Sequence, residues 1–383
     1  MDIRQVMEEL HVKALFAFAK ILKRLEGLGA RKRIIAQAIK KDCGASYGAA
    51  LFFRSSYVKL CCELVYKAFI IKEILHMKIR PKRLQKGDTI GIIAPSSPPN
   101  LENLKRSFAF LEELGLSYQL GKSVENIHGY LAGTDEERLE DLHEMFANPD
   151  IAGIICAGGG YGSARYTDQI DFQLMHENPK IFWGYSDITF LHTGMNLYSD
   201  IVTFHGPMLA SDVGKDTFSE LSKKMFQQLF NPMELFYTEA ISPLTKVSPG
   251  IVRGELTGGN LSLLANGIGT KYEVNTKGKL LFIEDVGEEP YKVDGMLNQL
   301  RQAGILDAAA GFVIGDFSDA EPKKRPVTLS LDEVFDHYIG KLGKPAVKGF
   351  KIGHCEPHFA IPLGIEAELD ANNLSLTILP GVE

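Results

Sequence analysis

Ser186, Glu284 and His354 stand in that order along a chain of 383 residues, and their types are those of a serine hydrolase. A serine hydroxyl is a weak nucleophile until a neighbouring imidazole takes its proton. The imidazole in turn needs a carboxylate on its other nitrogen, to fix its tautomer and stabilise its charge. Ser186 follows the apolar run Ile181-Phe-Trp183, and from Ile188 the apolar residues Leu191, Met195 and Tyr198 recur at helical spacing. That pattern predicts a sharp strand-to-helix bend at Ser186, the geometry of a nucleophile elbow, with Gly184 where a side chain would crowd the turn. The backbone N–H of Asp187 then opens a helix, where an oxyanion can be held. A plainer reading makes Ser186 or Asp187 a helix N-cap only, a position both residue types favour. The full G-x-S-x-G pattern is absent, because Ile188 stands at its last position.

Glu284 closes the apolar run Leu280-Leu-Phe-Ile283, and His354 sits in the turn Gly353-His-Cys-Glu-Pro357. For each alone the plain alternative is a salt bridge or cap for the glutamate and a solvated loop histidine. Cys355 beside His354 raises a cysteine-nucleophile alternative, but it follows no elbow. Cys156 lies inside an apolar strand, where a thiol is normally inert. Gly158-Gly-Gly-Tyr-Gly162 follows another apolar run. It lacks the spacing of a dinucleotide or P-loop fingerprint; its N–H groups can receive an oxyanion, or the glycines can simply serve a tight turn.

The elements that must position these residues alternate between strand and helix. Strands are expected at 89–94, 117–120, 151–157 and 181–183, and helices at 101–114, at 134–147 behind the capping box Thr134-Asp-Glu-Glu137, and at 163–170. Alternation of this kind indicates a parallel sheet, whose ligands sit at the carboxyl ends of the strands. The loops 94–99, 157–162 and 185–187 should meet there. A domain boundary is placed in 231–249, which has few helix signals and two prolines. Beyond it come a Gly-rich stretch at 250–260 and a helix at 261–266. Strands at 279–284, 311–317 and 344–352 alternate with helices at 293–303 and 331–342. The segments 361–364, 366–370 and 375–379 read as hairpin-like. The expected division is 77–240 and 241–383, after a segment 1–76.

Composition bounds the classes. Hydrophobic residues make up 45% and charged residues 23%, with a net charge of −6, values of a soluble globular protein that argue against a nucleic-acid partner. Five cysteines without regular spacing indicate neither a disulfide framework nor a zinc site. Residues 1–76 hold 14 Lys and Arg against 7 Asp and Glu, whereas 77–383 hold 28 against 41. The first segment reads as a basic helical extension. It either lies on a membrane surface or a partner, or is foreign to the natural protein, with Met77 the true start. Its longest uncharged stretch is well short of the ~20 residues that span a bilayer.

From about Lys78 to Val382 the chain resembles the LD-carboxypeptidase family of serine peptidases, which includes murein tetrapeptide carboxypeptidases and the microcin C immunity peptidase. The motifs that carry the likeness are Gly87-Asp-Thr-Ile-Gly-Ile-Ile-Ala-Pro-Ser-Ser97, Arg138 after Gly133–Glu137, and Ile155-Cys-Ala-Gly-Gly-Gly-Tyr-Gly162. They continue through Gly184-Tyr-Ser-Asp-Ile-Thr189, Phe204-His-Gly-Pro207, Gly254–Asn260, Phe282-Ile-Glu-Asp285 with Glu289-Pro-Tyr291, and Gly353-His354 with Pro362-Leu-Gly364. The resemblance implies a flavodoxin-like, parallel-sheet N-terminal domain and a smaller α+β, partly β-barrel-like C-terminal domain. It implies Ser186 as nucleophile, His354 as general base and then acid, and Glu284 as the group orienting His354. The N–H groups of Gly159 or Gly160 and of Asp187 would form the oxyanion hole. It implies catalysis without metal or cofactor, a homodimer, a cytoplasmic location and a muropeptide substrate that loses a terminal D-alanine. Two rivals stand beside this reading: an immunity or detoxifying peptidase acting on an aminoacyl-nucleotide conjugate, and a non-catalytic small-ligand binding protein.

Overall fold

The computed structural model describes residues 78–325 and 327–383; the basic segment 1–76 lies outside them. The strands, in chain order, are β1 (Thr89–Ile93), β2 (Ser117–Leu120), β3 (Ile151–Cys156), β4 (Ile181–Gly184), β5 (Thr203–His205), β6 (Leu235–Tyr237) and β7 (Thr245–Ser248). They continue with β8 (Ile251–Asn260), β9 (Leu280–Val286), β10 (Gly311–Ser318), β11 (Ala346–Lys348), β12 (Ile361–Leu363), β13 (Glu366–Asp370) and β14 (Ser375–Ile378). The helices that matter for the site are α1 (Leu101–Glu113), α2 (Asp135–Ala147), α3 (Phe172–Glu177), α4 (Thr189–Gly194), α5 (Glu220–Met225), α6 (Leu261–Asn266) and α7 (Pro290–Gln302).

The first sheet has the order β12-β5-β4-β3-β1-β2. It is parallel except for β12, which runs antiparallel to β5. Its strands are apolar throughout because both faces are covered. Ile155, Ile181 and Trp183 point into one core, while Ile154, Cys156 and Phe182 point into the other. That is the period-two alternation of a strand buried twice. Helix α2 begins at the expected capping box: the Thr134 hydroxyl accepts from the Glu137 N–H, and the Glu137 carboxylate accepts from the Thr134 N–H.

The second sheet has the order β6-β14-β13-β8-β9-β10-β11-β7. Its middle, β8-β9-β10-β11, is parallel, and its margins are antiparallel. The ten-residue β8 pairs with β13 along 251–255 and with β9 along 256–260. This change of partner midway lets the sheet curl. The fold is thus α/β, with a parallel-sheet half and an α+β half built on a curled sheet.

Several local expectations need correction. The stretch 163–170 forms two short 3-10 turns, and the helix in this region is α3. Strands β6 and β7 occupy 231–249, the segment with few helix signals where a domain boundary is expected, and the Gly-rich 250–260 is itself a long strand. The reason is close packing of backbones: a Cβ on Gly258 would lie 1.9 Å from the Phe282 carbonyl oxygen of the neighbouring strand, so glycine here serves sheet approach. β12 does not join the β13–β14 hairpin. It adds to the first sheet, and the chain crosses to the second at Gly364, whose φ of +87° suits a residue without a side chain. Tyr198, expected on the buried helical stripe, is 46% exposed, because the helix widens into a π-turn over Met195–Ser199 and the stripe rotates out of register.

Candidate active site

Ser186 lies between β4 and a short 3-10 turn, Ser186–Ile188, that leads into α4. Its φ is +64°, a left-handed conformation that a non-glycine residue adopts at a cost of about 1–3 kcal/mol. Gly184 leaves the room that the bend needs: a Cβ there would stand 3.1 Å from Cys156 and from Ile188. Ile188 is fully buried beneath it, so its side chain fills space that the second glycine of the common elbow leaves open. Neither Ser186 nor Asp187 caps the helix, which sets aside the plainer reading.

Across the cleft, His354 Nε2 accepts from the Ser186 hydroxyl at 3.0 Å, and His354 Nδ1 donates to Glu284 Oε2 at 2.7 Å. The structure therefore brings the three residues into one hydrogen-bonded chain, although 168 and 70 positions separate the pairs. Glu284 is fully buried and lies within β9, two residues before the strand ends at Val286, and not in a loop beyond it. Gly353 permits the contact: its φ is +121°, and a Cβ on it would fall 2.5 Å from Glu284 Oε2. The turn that carries His354 is held by Ser318, whose hydroxyl donates to the His354 carbonyl at 2.7 Å. The ring of Tyr185 packs 4.8 Å from the imidazole, and its hydroxyl donates to Asp212 at 3.0 Å. Burial, the largest single influence on the imidazole, opposes its charge. The carboxylates of Glu284, Asp285 and Asp212 outweigh burial, so His354 titrates above its ordinary 6.5.

The glycine loop after β3 closes over Ser186. A Cβ on Gly159 would meet Ser186 at 3.1 Å, whereas one on Gly160 would strike Ser97 at 2.4 Å. Gly159 thus faces the serine, and Gly160 faces the loop after β1. The carbonyl of Gly159 accepts from the Ser97 N–H at 3.1 Å. The N–H groups of Gly159, Gly160 and Asp187 have no hydrogen-bond acceptor among the described residues. The side chain of Asp187 does something its sequence position did not reveal. Its buried carboxylate accepts from the Ser96 hydroxyl at 2.6 Å and from the Ser163 N–H at 2.8 Å, tying the elbow to two flanking loops. Arg138 has a similar role. Fully buried, it donates through Nη1 to the carbonyls of Pro95 and Gly162, both at 2.9 Å, and pairs with Asp135.

These loops enclose a cleft of about 460 Å³. It is lined by 97–100 and Asn103, by 158–160, by Tyr185, Ser186 and His354, and by Met208, Ala210, Ser211 and Lys215. The three loops expected to meet at the carboxyl ends of the strands do meet here. Cys355 is no competitor for the role of nucleophile: its thiol donates to the Pro357 carbonyl at 3.4 Å, and burial raises its pKa. Cys156 is buried and likewise raised. No group of three or more His, Cys, Asp or Glu among the described residues is arranged to hold a metal ion.

Residues 90–206 match the model of the LD-carboxypeptidase N-terminal domain, and residues 253–369 that of the LD-carboxypeptidase C-terminal domain. The chain belongs to the LD-carboxypeptidase family. It is 51% identical over 312 residues to a protein of Bacillus subtilis strain 168 named a probable murein peptide carboxypeptidase, covering 82% of this chain and 98% of that protein. Its fold is similar to the crystal structure of muramoyltetrapeptide carboxypeptidase from Oxalobacter formigenes, with a TM-score of 0.69 at 30% identity, over 76% of this chain and 97% of that one. It is also similar to the microcin self-immunity protein MccF in complex with glutamyl sulfamoyl guanosine, with a TM-score of 0.72 at 25% identity, over 78% and 98%. Ser186 lies in the first of these family segments, and Glu284 and His354 in the second.

Proposed function

We propose that this LD-carboxypeptidase removes a terminal D-amino acid, D-alanine, from muropeptide tetrapeptides. The observation that carries the reading is the chain Ser186–His354–Glu284 at the floor of an open cleft, in a protein half identical to a named murein peptide carboxypeptidase. Ser186 Oγ attacks the penultimate carbonyl while His354 Nε2 takes its proton. The developing oxyanion is received by the N–H groups of Asp187 and of Gly159 or Gly160. His354 then protonates the leaving amine, and the departing D-alanine leaves an ester on Ser186. Water, activated by the same imidazole, hydrolyses that ester and restores the serine. Glu284 holds the Nδ1–H tautomer and offsets the charge of the imidazolium. Neither metal nor cofactor enters these steps. The nucleophile is carried by 77–240, and the acid and base by 241–383.

Likeness to MccF favours a second reading, a peptidase cleaving an aminoacyl-nucleotide conjugate. A single assay separates the two: turnover of a murein tetrapeptide against turnover of such a conjugate, with Ser186→Ala as control. Preferential release of D-alanine from the tetrapeptide supports the first reading; preference for the conjugate replaces it with the second. Ligand binding with no turnover of either would make the protein a binding module. The same resemblance supports a cytoplasmic homodimer that acts on recycled wall fragments, which sedimentation and cell fractionation can check. Among the described residues no helix is long and apolar enough to cross a membrane.

A further inference from the structure

We propose that Lys215 receives the free carboxylate of the residue being removed and so makes the enzyme specific for chain ends. The inference rests on the peptidase reading above. An exopeptidase must tell a terminal residue from an internal one, and what marks the terminus is the negative charge of its α-carboxylate. That carboxylate is two bonds from the nitrogen of the scissile amide, so the group that reads it must line the same cleft as the nucleophile.

Among the residues lining the cleft, Lys215 is the one lysine or arginine, and no aspartate or glutamate lines it. The neighbouring carboxylates have their hydrogen-bond or ion-pair partners elsewhere, although Asp212 is near enough to feel the Lys215 charge. Asp212 accepts from the Tyr185 hydroxyl at 3.0 Å and from the Met208 N–H at 2.8 Å, and Asp216 faces Arg106 at 3.7 Å. Lys215 has no carboxylate partner within ion-pair distance among the described residues, so its ammonium is available to a ligand.

Its backbone position is fixed by tight packing. The Lys215 N–H donates to the Asp212 carbonyl at 3.0 Å, and the Gly214 N–H to the Leu209 carbonyl at 2.8 Å. Gly214 lies so close to α1 that a Cβ would fall 1.9 Å from the Asn103 carbonyl oxygen. The Asn103 amide in turn donates to the Ala210 carbonyl at 3.3 Å. A rigid turn thus presents a flexible, strongly hydrated point charge at the cleft wall. That suits a small carboxylate which has to bind, react and then leave as part of a free amino acid.

The test compares a tetrapeptide ending in a free D-alanine carboxylate with the same peptide ending in D-alanine carboxamide, on wild type, Lys215→Met and Lys215→Arg. A charge-assisted hydrogen bond predicts that Lys215→Met loses roughly 10- to 100-fold in kcat/KM on the acid, mostly through KM. On the carboxamide it should change less than about 3-fold, and Lys215→Arg should recover most of the loss on the acid, because the bond depends on the charge. Labelling of Ser186 by a fluorophosphonate at the wild-type rate shows that each variant is folded. If wild type is active but Lys215→Met acts alike on both peptides, whether unchanged or equally impaired, the assignment of Lys215 is overturned and the peptidase reading stands. If wild type cleaves neither peptide, the peptidase reading falls and the assignment with it.

Discussion

At Ser186 the backbone is held at a φ of +64°, and that strain persists because the surroundings define the bend from every side. Gly184 opens the space, Ile188 fills it from below, and the Asp187 carboxylate pins the following residue to Ser96 and Ser163. Replacing the hydroxyl alone should leave this frame intact. Ser186→Ala is expected to lower kcat by about 10⁴- to 10⁶-fold with an unchanged melting temperature, read by steady-state kinetics and thermal denaturation. The neighbouring imidazole makes a pH prediction. In the general-base role proposed for it the imidazole must be neutral, and its pKa is raised above 6.5 because the nearby carboxylates outweigh burial. The acidic limb of kcat/KM should therefore have its midpoint above 6.5, with activity rising as pH rises through it. Glu284→Gln removes the main charge that raises it. That variant should shift the limb downward and lower kcat by roughly 10³- to 10⁴-fold, through loss of the correct tautomer; a limb that stays in place would show that Glu284 does not act on His354. All three residues were readable from sequence, because each falls at or just beyond the end of an apolar run. The structural roles of Asp187 and Arg138 were not. Nothing local distinguishes a carboxylate that knits three loops from one that caps a helix, and the partners of Arg138 lie 43 and 24 positions away.

The elements act as a frame for loops. Strands β1, β3 and β4 run parallel, so the loops 94–99, 157–162 and 185–187 leave the sheet at one edge. Arg138, reaching from the start of α2, bridges the first two of these regions through Pro95 and Gly162. Arg138→Met would remove one donor from each of three acceptors, leaving Pro95 with the Tyr166 hydroxyl, Gly162 with the Arg165 N–H and Asp135 with the Arg165 side chain. Loss of these charge-assisted hydrogen bonds should cost roughly 1–3 kcal/mol of stability and also lower kcat, since the loops carry the cleft wall; a variant with wild-type stability in urea denaturation would contradict this. Alternation of strand and helix made the parallel sheet legible in advance. The second sheet was harder to read. Its glycine-rich β8 carries φ values of +128° and +144° at Gly258 and Gly259, conformations that composition reads as loop. What keeps this segment in the sheet is pairing with β9 and contact with Thr189, whose hydroxyl accepts the Asn260 N–H at 3.0 Å. Such pairings join residues far apart in sequence, which periodicity within a short window does not register.

The described residues 78–325 and 327–383 fold into one compact unit, and a large apolar core runs between the two sheets, from Trp183 and Phe204 to Phe282 and Phe350. Three histidines are sealed in this interior. Burial lowers His192 to about 4 and His358 to about 3, and it takes His205 well below 6.5, helped by the neighbouring histidines. The unfolded chain takes up protons at these sites below about pH 6.5 and the folded chain does not, so stability falls as pH falls from about 6.5 toward 4 and 3. Thermal denaturation between pH 7 and 4 should show a progressive drop in melting temperature, and His358→Asn or His192→Asn should flatten it. The same compact unit brings Ser186, from one family segment, within 3.0 Å of His354, from the other. The central claim is that this pairing makes Ser186 the nucleophile of a carboxypeptidase. The most direct measurement is to treat the protein with a fluorophosphonate, locate the adduct by mass spectrometry, and follow D-alanine release from a murein tetrapeptide in parallel. The account predicts a single adduct on Ser186, formed in step with loss of D-alanine release and strongly slowed in His354→Ala. Labelling at another residue, or full D-alanine release from protein labelled at Ser186, would contradict it.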